Sequence, residues 1–124
     1  EAGLEPGTVD YVNAHATATL QGDEAESRAI GELFGPRVPV SSLKGHLGHS
    51  MAASGALELI ACVQMMQAGK LIPTRNLENI ADECSGIFTP KTVLDIRPDT
   101  VIKNNFALGG VNCSIALRRF THDQ

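Results

Sequence analysis

The chain has 124 residues, 43% of them hydrophobic, and a formal net charge of −4. That suffices for one domain of ordinary size. Its ten Lys and Arg residues are scattered and form no basic stripe, which excludes nucleic acid and anionic membrane surfaces as the expected partners.

Three cysteines, Cys62, Cys84 and Cys113, show no CxxC spacing. Their odd number argues against a disulfide framework and fits a cytoplasmic, reducing setting. The longest apolar run is interrupted by Glu58 and Gln64, so neither a membrane span nor a signal segment is expected.

In chain order, Val9 to Ala14 predicts a short buried strand, reached with no obvious first layer before it. The pattern suits the edge of a small domain or the start of the second half of something larger. Asp23 and Glu26 have the spacing of a capping box. Ala25, Ala29, Ile30, Leu33 and Phe34 give the helix they open an apolar face, and Gly35-Pro36 stops it. Val38 to Leu43 predicts a second strand. A helix from about residue 50 or 51 to Ala68, with Gly69 as its stop, follows the loop "KGHLGHS". This helix has no polar face, so burial on every side is expected. So short a chain has little material to cover it, and a further layer from another domain or chain is inferred.

Residues 69–86 read as a long loop and "KTVLDI" as a short strand. Two strands, Val101 to Phe106 and Asn112 to Arg118, are joined by a Gly-Gly turn. The tail "THDQ" is expected to fray.

Four polar residues ask for an explanation. His15 follows a strand end, where α/β folds commonly keep functional side chains. Lys44 and His49 lie between a strand end and a helix start. There, unpaired N–H groups disfavour an imidazolium and leave His49 able to donate from one ring nitrogen. Glu58 is the only charge between Ser50 and Gly69. A buried carboxylate needs a partner, and Lys44 is the nearest cation in sequence. A structural ion pair and a pair that also orients a reaction site are both open. A metal site of His15, His46 and His49 with Asp23 or Glu58 is disfavoured, because Lys44 would sit beside the ion and HExxH is absent. Cys62 and Cys113 read as core packing. Asn104, Asn105, Gly109, Gly110 and Asn112 suit either a tight turn or a backbone lip able to donate to an oxyanion.

Together, "VDYVNAHATATLQGDEAE", "SSLKGHLGHSMAASGALE" and "NNFALGGVNCSI" resemble the C-terminal half of β-ketoacyl-[acyl-carrier-protein] synthases of the thiolase superfamily, from about Val9 to Phe120. The resemblance implies that residues 1–124 are the C-terminal domain of such a synthase. It implies a thiolase-like α/β half, a mixed sheet with a buried central helix, completing a layered α/β/α/β/α fold with a missing N-terminal half. The activity it implies is acyltransferase chemistry, the decarboxylative Claisen condensation of fatty-acid or polyketide assembly.

His15 and His49 match the family's two histidines, which polarise the malonyl thioester and stabilise its enolate. Lys44 matches the associated lysine, and Glu58 the glutamate that accompanies it. Thr17 and Thr19 match threonines that contact the phosphopantetheine arm. The oxyanion and gating loop maps to Phe106, Ala107, Leu108, Gly109 and Gly110, with the Leu108 N–H as one donor. His46 maps to no role. Substrates would ride on the phosphopantetheine of an acyl carrier protein, with no other cofactor and no metal. The nucleophilic cysteine belongs to the other half and matches none in this chain.

Expected partners are therefore that half or a second synthase chain, a carrier protein, and a homo- or heterodimer mate. Two motif departures stand out. Ala16 replaces a usual glycine, and Ala107-Leu108 replaces Gly-Phe, which implies a stiffer loop and altered acyl selectivity or loop motion. The alternatives are a non-catalytic chain-length-factor-type partner or structural fragment, and a thiolase-like acyltransferase.

Overall fold

The computed structural model describes residues 2–120. Residues 121–124, for which fraying is expected, lie outside them. Four strands, β1 (Tyr11–Asn13), β2 (Val40–Ser41), β3 (Thr100–Ala107) and β4 (Val111–Arg118), form one sheet in the order β2-β1-β3-β4. β1 runs parallel to both neighbours, and β4 closes the sheet antiparallel to β3. The mixed sheet expected from the sequence is therefore present. Helix α1 (Leu20–Phe34) connects β1 to β2. A short α2 (Lys44–Leu47) and the long α3 (Ser54–Ala68) lie between β2 and β3.

Alternation along β1 sends its side chains to two different cores, as a strand's period of two dictates. Tyr11 joins Cys62, Met65 and Val101 in the cluster under α3, whereas Val12 joins Ile30, Val38 and Val40 in the cluster under α1. The helices thus cover opposite faces, and β1 is buried throughout. The Tyr11 hydroxyl is 2.7 Å from Ser41 Oγ, which itself donates to the Ile72 carbonyl at 2.8 Å. This chain of bonds pins β1 to β2, and burial pushes the phenol's pKa up.

Several expectations need correction. The helix α1 begins at Leu20 with Thr19 as its N-cap, four residues earlier than the Asp23–Glu26 box implies, and no side chain caps it. Glu26 is turned to the β1 loop instead. The segment "KTVLDI" is no strand. It makes a single antiparallel bridge, Leu94 to Leu71, because Pro73 lacks the N–H that the next rung would need. A 3-10 turn at Met51–Ala53 precedes α3, and Gly69 ends α3 at φ 67° as expected.

Within this chain α3 is buried along one stripe rather than all round. Ser54, Glu58, Cys62, Met65 and Met66 lie inward, spaced three or four apart as one helix face demands. Leu57 and Ile60 remain exposed. By length and composition alone Met51–Ala68 would suffice to cross a membrane, but here it lies on the sheet with Glu58 ion-paired inside the fold. Its open side, together with exposed Val111 and Ile115 on β4, is the kind of apolar surface that another layer covers. Cys113, expected in a core, is also exposed on β4.

Candidate active site

The chain leaves β1 through a loop that bends sharply, with Ala16 at φ 28° and Ala18 at φ 63°. A side chain in this region strains the backbone, which persists only where surrounding contacts enforce it. The buried carboxylate of Glu26 supplies those contacts at Ala16, and the Asp23 carboxylate meets the Ala18 N–H. The Glu26 oxygens accept the His15 N–H at 2.9 Å and the Ala16 N–H at 2.8 Å. Asn104 Nδ2 on β3 donates to it at 3.1 Å, and Ser114 Oγ on β4 donates to Asn104 Oδ1 at 2.7 Å. One carboxylate on α1 thus ties the loop to two strands and fixes where His15 begins.

The His15 ring meets His49 edge-on, with centroids 5.7 Å apart and planes at 90°, and meets Phe106 at 5.6 Å. Its buried Nδ1 has no partner among the described residues. Burial holds the His15 pKa below the usual imidazole value, and the charges of Lys44, Lys103 and His49 push the same way against Glu58.

His49 is held by its ring. Nδ1 accepts the Met51 N–H at 3.2 Å and lies 3.1 Å from Ser54 Oγ. A backbone N–H can only donate, so Nδ1 carries the lone pair and Nε2 the hydrogen. That tautomer can offer a hydrogen bond from Nε2, the capacity expected of this residue. Met51 itself has φ 51°. The strained residue is the one whose N–H orients the ring.

Behind the pair lies a buried charge cluster. Lys44 Nζ is 2.7 Å from Glu58 Oε1, the pair expected from the lone charge of α3. The sequence reading missed a second cation, Lys103 on β3, whose Nζ is 2.8 Å from Glu58 Oε2. Lys103 also donates to the Asn104 carbonyl. Burial pulls the Glu58 pKa up, but the hydrogen bonds and charges of Lys103 and Lys44 outweigh it and leave the value lowered. Burial depresses the Lys103 pKa, only partly offset by Glu58. The sequence carried half of the signal, a lysine inside the strand expected from Val101 to Phe106, and the register supplies the rest. Lys103 pairs with Asn13 in register and, two residues from Val101, faces the α3 side. A lysine in mid-strand on a core face needs an anion.

Residues 1–78 match the family described as beta-ketoacyl synthase, C-terminal domain. The chain belongs to that family. Similar proteins include 3-oxoacyl-[acyl-carrier-protein] synthase 2 of Coxiella burnetii, 40% identical over 122 residues that cover 96% of this chain and 30% of the relative. A β-ketoacyl synthase from Burkholderia phymatum STM815 superposes with a TM-score of 0.92 at 40% identity, over 97% of this chain and 30% of that one. The AntDE:AntF structure, a type II polyketide acyl-carrier protein with its ketosynthase bound to the hexaketide, gives 0.88 at 29% identity, over 95% and 30%. The chain thus spans about 30% of the length of the relatives it matches. These likenesses also bear out the thiolase-like half-fold.

The remaining positions singled out by the synthase resemblance are spread over the site's rim. Thr17 and Thr19 bond to each other at 3.1 Å and, with Lys44 and His49, line a cavity of about 760 Å³. Asp23 lines it too, its carboxyl pKa raised by burial and lowered in part by the N–H groups of Ala18, Thr19 and Thr17. Phe106 is half-buried against His15, while Ala107 to Gly110 form the exposed β3–β4 tip. Gly109 and Gly110 have φ 85° and 77° there, the conformations a tight turn needs from glycine. His46 faces away, its Nε2 2.9 Å from the Pro73 carbonyl. No group of three metal-ligating side chains converges among the described residues. Cys62 is fully buried, and burial pushes its thiol up to about 12, which suits packing rather than nucleophilic attack.

Proposed function

We propose that this chain supplies the decarboxylation half of a 3-oxoacyl-[acyl-carrier-protein] synthase site. The observation that carries the reading is the edge-to-face pair of His15 and His49, with His49 Nε2–H left as a donor. Two such imidazoles suit the thioester carbonyl of a malonyl group. As carbon dioxide leaves, the electron pair of the broken C–C bond passes into that carbonyl, and hydrogen bonds to the oxygen stabilise the enolate. The enolate carbon then attacks an acyl thioester held on a cysteine outside this chain. The thiolate departs, and the acyl chain is longer by two carbons.

Lys44 and Glu58 orient charge behind the histidines. Thr17 and Thr19 hold the phosphopantetheine arm at the cavity mouth, and the Leu108 N–H donates to the oxyanion. The carrier protein seen with the related AntDE ketosynthase supports a carrier protein as partner. The open apolar side of α3 and β4 supports a second half or chain, within a dimer.

The test incubates the protein at its natural length with an acyl donor and malonyl-carrier protein, and weighs the products. A β-ketoacyl product two carbons longer supports the reading. Extension that needs a second synthase chain and survives His15→Ala in this one assigns the chain-length-factor role, and acyl transfer without carbon dioxide release assigns the thiolase-like one.

A further inference from the structure

The buried cluster holds two ammonium groups against one carboxylate, with side-chain exposures of 7% for Lys44, 2% for Glu58 and 0% for Lys103. One carboxylate neutralises one cation, so the cluster keeps an excess positive charge. Taking such a charge from water is costly, and without Lys103 the Lys44–Glu58 pair would still balance. The site therefore retains a charge that its ion pairing does not require. Lys44 is already satisfied by Glu58 Oε1, so Lys103 is not needed to complete that pair.

The groups facing His15 define what the excess charge acts on. Glu26 of α1 takes its backbone N–H, and Lys44 of α2, His49 of the loop before α3, Glu58 of α3 and Lys103 of β3 all reach it electrostatically. Three of these four long-range influences oppose a proton on His15; only Glu58 favours one.

We propose that Lys103 is a positioning residue of the synthase site: it pairs with the second oxygen of Glu58 and leaves the buried cluster with one net positive charge that acts on the His15 ring. This deepens the function proposed above and rests on it for its purpose. A positive charge behind an uncharged imidazole favours an anionic occupant, here a substrate carboxylate and the enolate that replaces it, while the ring keeps its hydrogen-bonding role.

The charge argument separates cleanly from geometry in a variant series. Lys103→Met leaves the cluster with no net charge, and Glu58→Gln leaves it with two positive charges. The double variant Glu58→Gln/Lys103→Met returns it to one, carried by Lys44. The readout is the titration midpoint of the His15 ring by NMR in the protein at its natural length, its signal assigned by loss in His15→Gln. The midpoint rises in Lys103→Met, falls in Glu58→Gln and returns towards the parent in the double variant.

An unmoved midpoint in a folded Lys103→Met protein overturns the proposal. So does a double variant that titrates like Lys103→Met. If one single variant does not fold, the other and the double still fix the order. The titration needs no substrate, so a failed condensation assay leaves this result standing, and an unmoved midpoint in an active synthase removes only the role of Lys103.

Discussion

Glu26 and Glu58 are both buried carboxylates, one on each long helix, yet they are satisfied by opposite means. Glu26 is met by two backbone N–H groups and an amide, all neutral donors. Glu58 is met by two ammonium groups. Neutral donors on a loop convert a carboxylate into a fastener for backbone. Cations convert it into a setting for local charge. The first region therefore decides where His15 sits, and the second decides what field it sits in. The two histidines divide in the same way: His15 is fixed through its main chain and His49 through its ring.

The contrast is broken most severely at Glu58. Glu58→Gln leaves two ammonium groups buried without an anion, and removing one partner of such a cluster costs about 3–5 kcal/mol. Assembly and turnover should both suffer, and calorimetry with native mass spectrometry reads the first. The pH dependence carries a sign. The folded pKa of Glu58 is lowered, so its stabilisation is complete above the unfolded carboxylate value of about 4.3 and is lost as pH falls towards the folded value. The melting difference between parent and Glu58→Gln should shrink with acid below that point. A difference that stays constant would sink the ion-cluster account.

A smaller effect is expected at Glu26. Glu26→Ala releases the strained turn at Ala16 and orphans several donors, a loss of about 2–3 kcal/mol for hydrogen bonds to a buried charged group. Here the His15 field is left in place while its position loosens, so turnover should fall more than the melting temperature implies. Full turnover in a folded Glu26→Ala protein would show that the loop holds itself.

How much of this was legible in sequence follows from the same physics. The Lys44–Glu58 pair was readable because one charge in an otherwise apolar helix must find a partner. The β3–β4 hairpin was readable from its alternating strands and Gly109-Gly110. Glu26 was misread because its three-residue spacing from Asp23 mimics a capping box, and local spacing cannot reveal a carboxylate aimed at another segment. Lys103 was passed over since a strand pattern does not say which of its faces is covered. The all-round burial expected of α3 counted apolar residues correctly, but burial depends on what lies opposite, and Leu57 and Ile60 are left exposed by the described residues. The onset of α3 was blurred by the positive φ of Met51, which no propensity anticipates.

The most direct test of the central claim is carbon dioxide release from malonyl-carrier protein by the natural-length protein and its His15→Ala and His49→Ala variants, measured without an acyl acceptor. If the histidine pair stabilises the enolate, each variant should release carbon dioxide more slowly by about 10²–10³-fold, the usual cost of losing one such donor. Undiminished release from both folded variants would contradict the account and move the reaction centre away from His15 and His49.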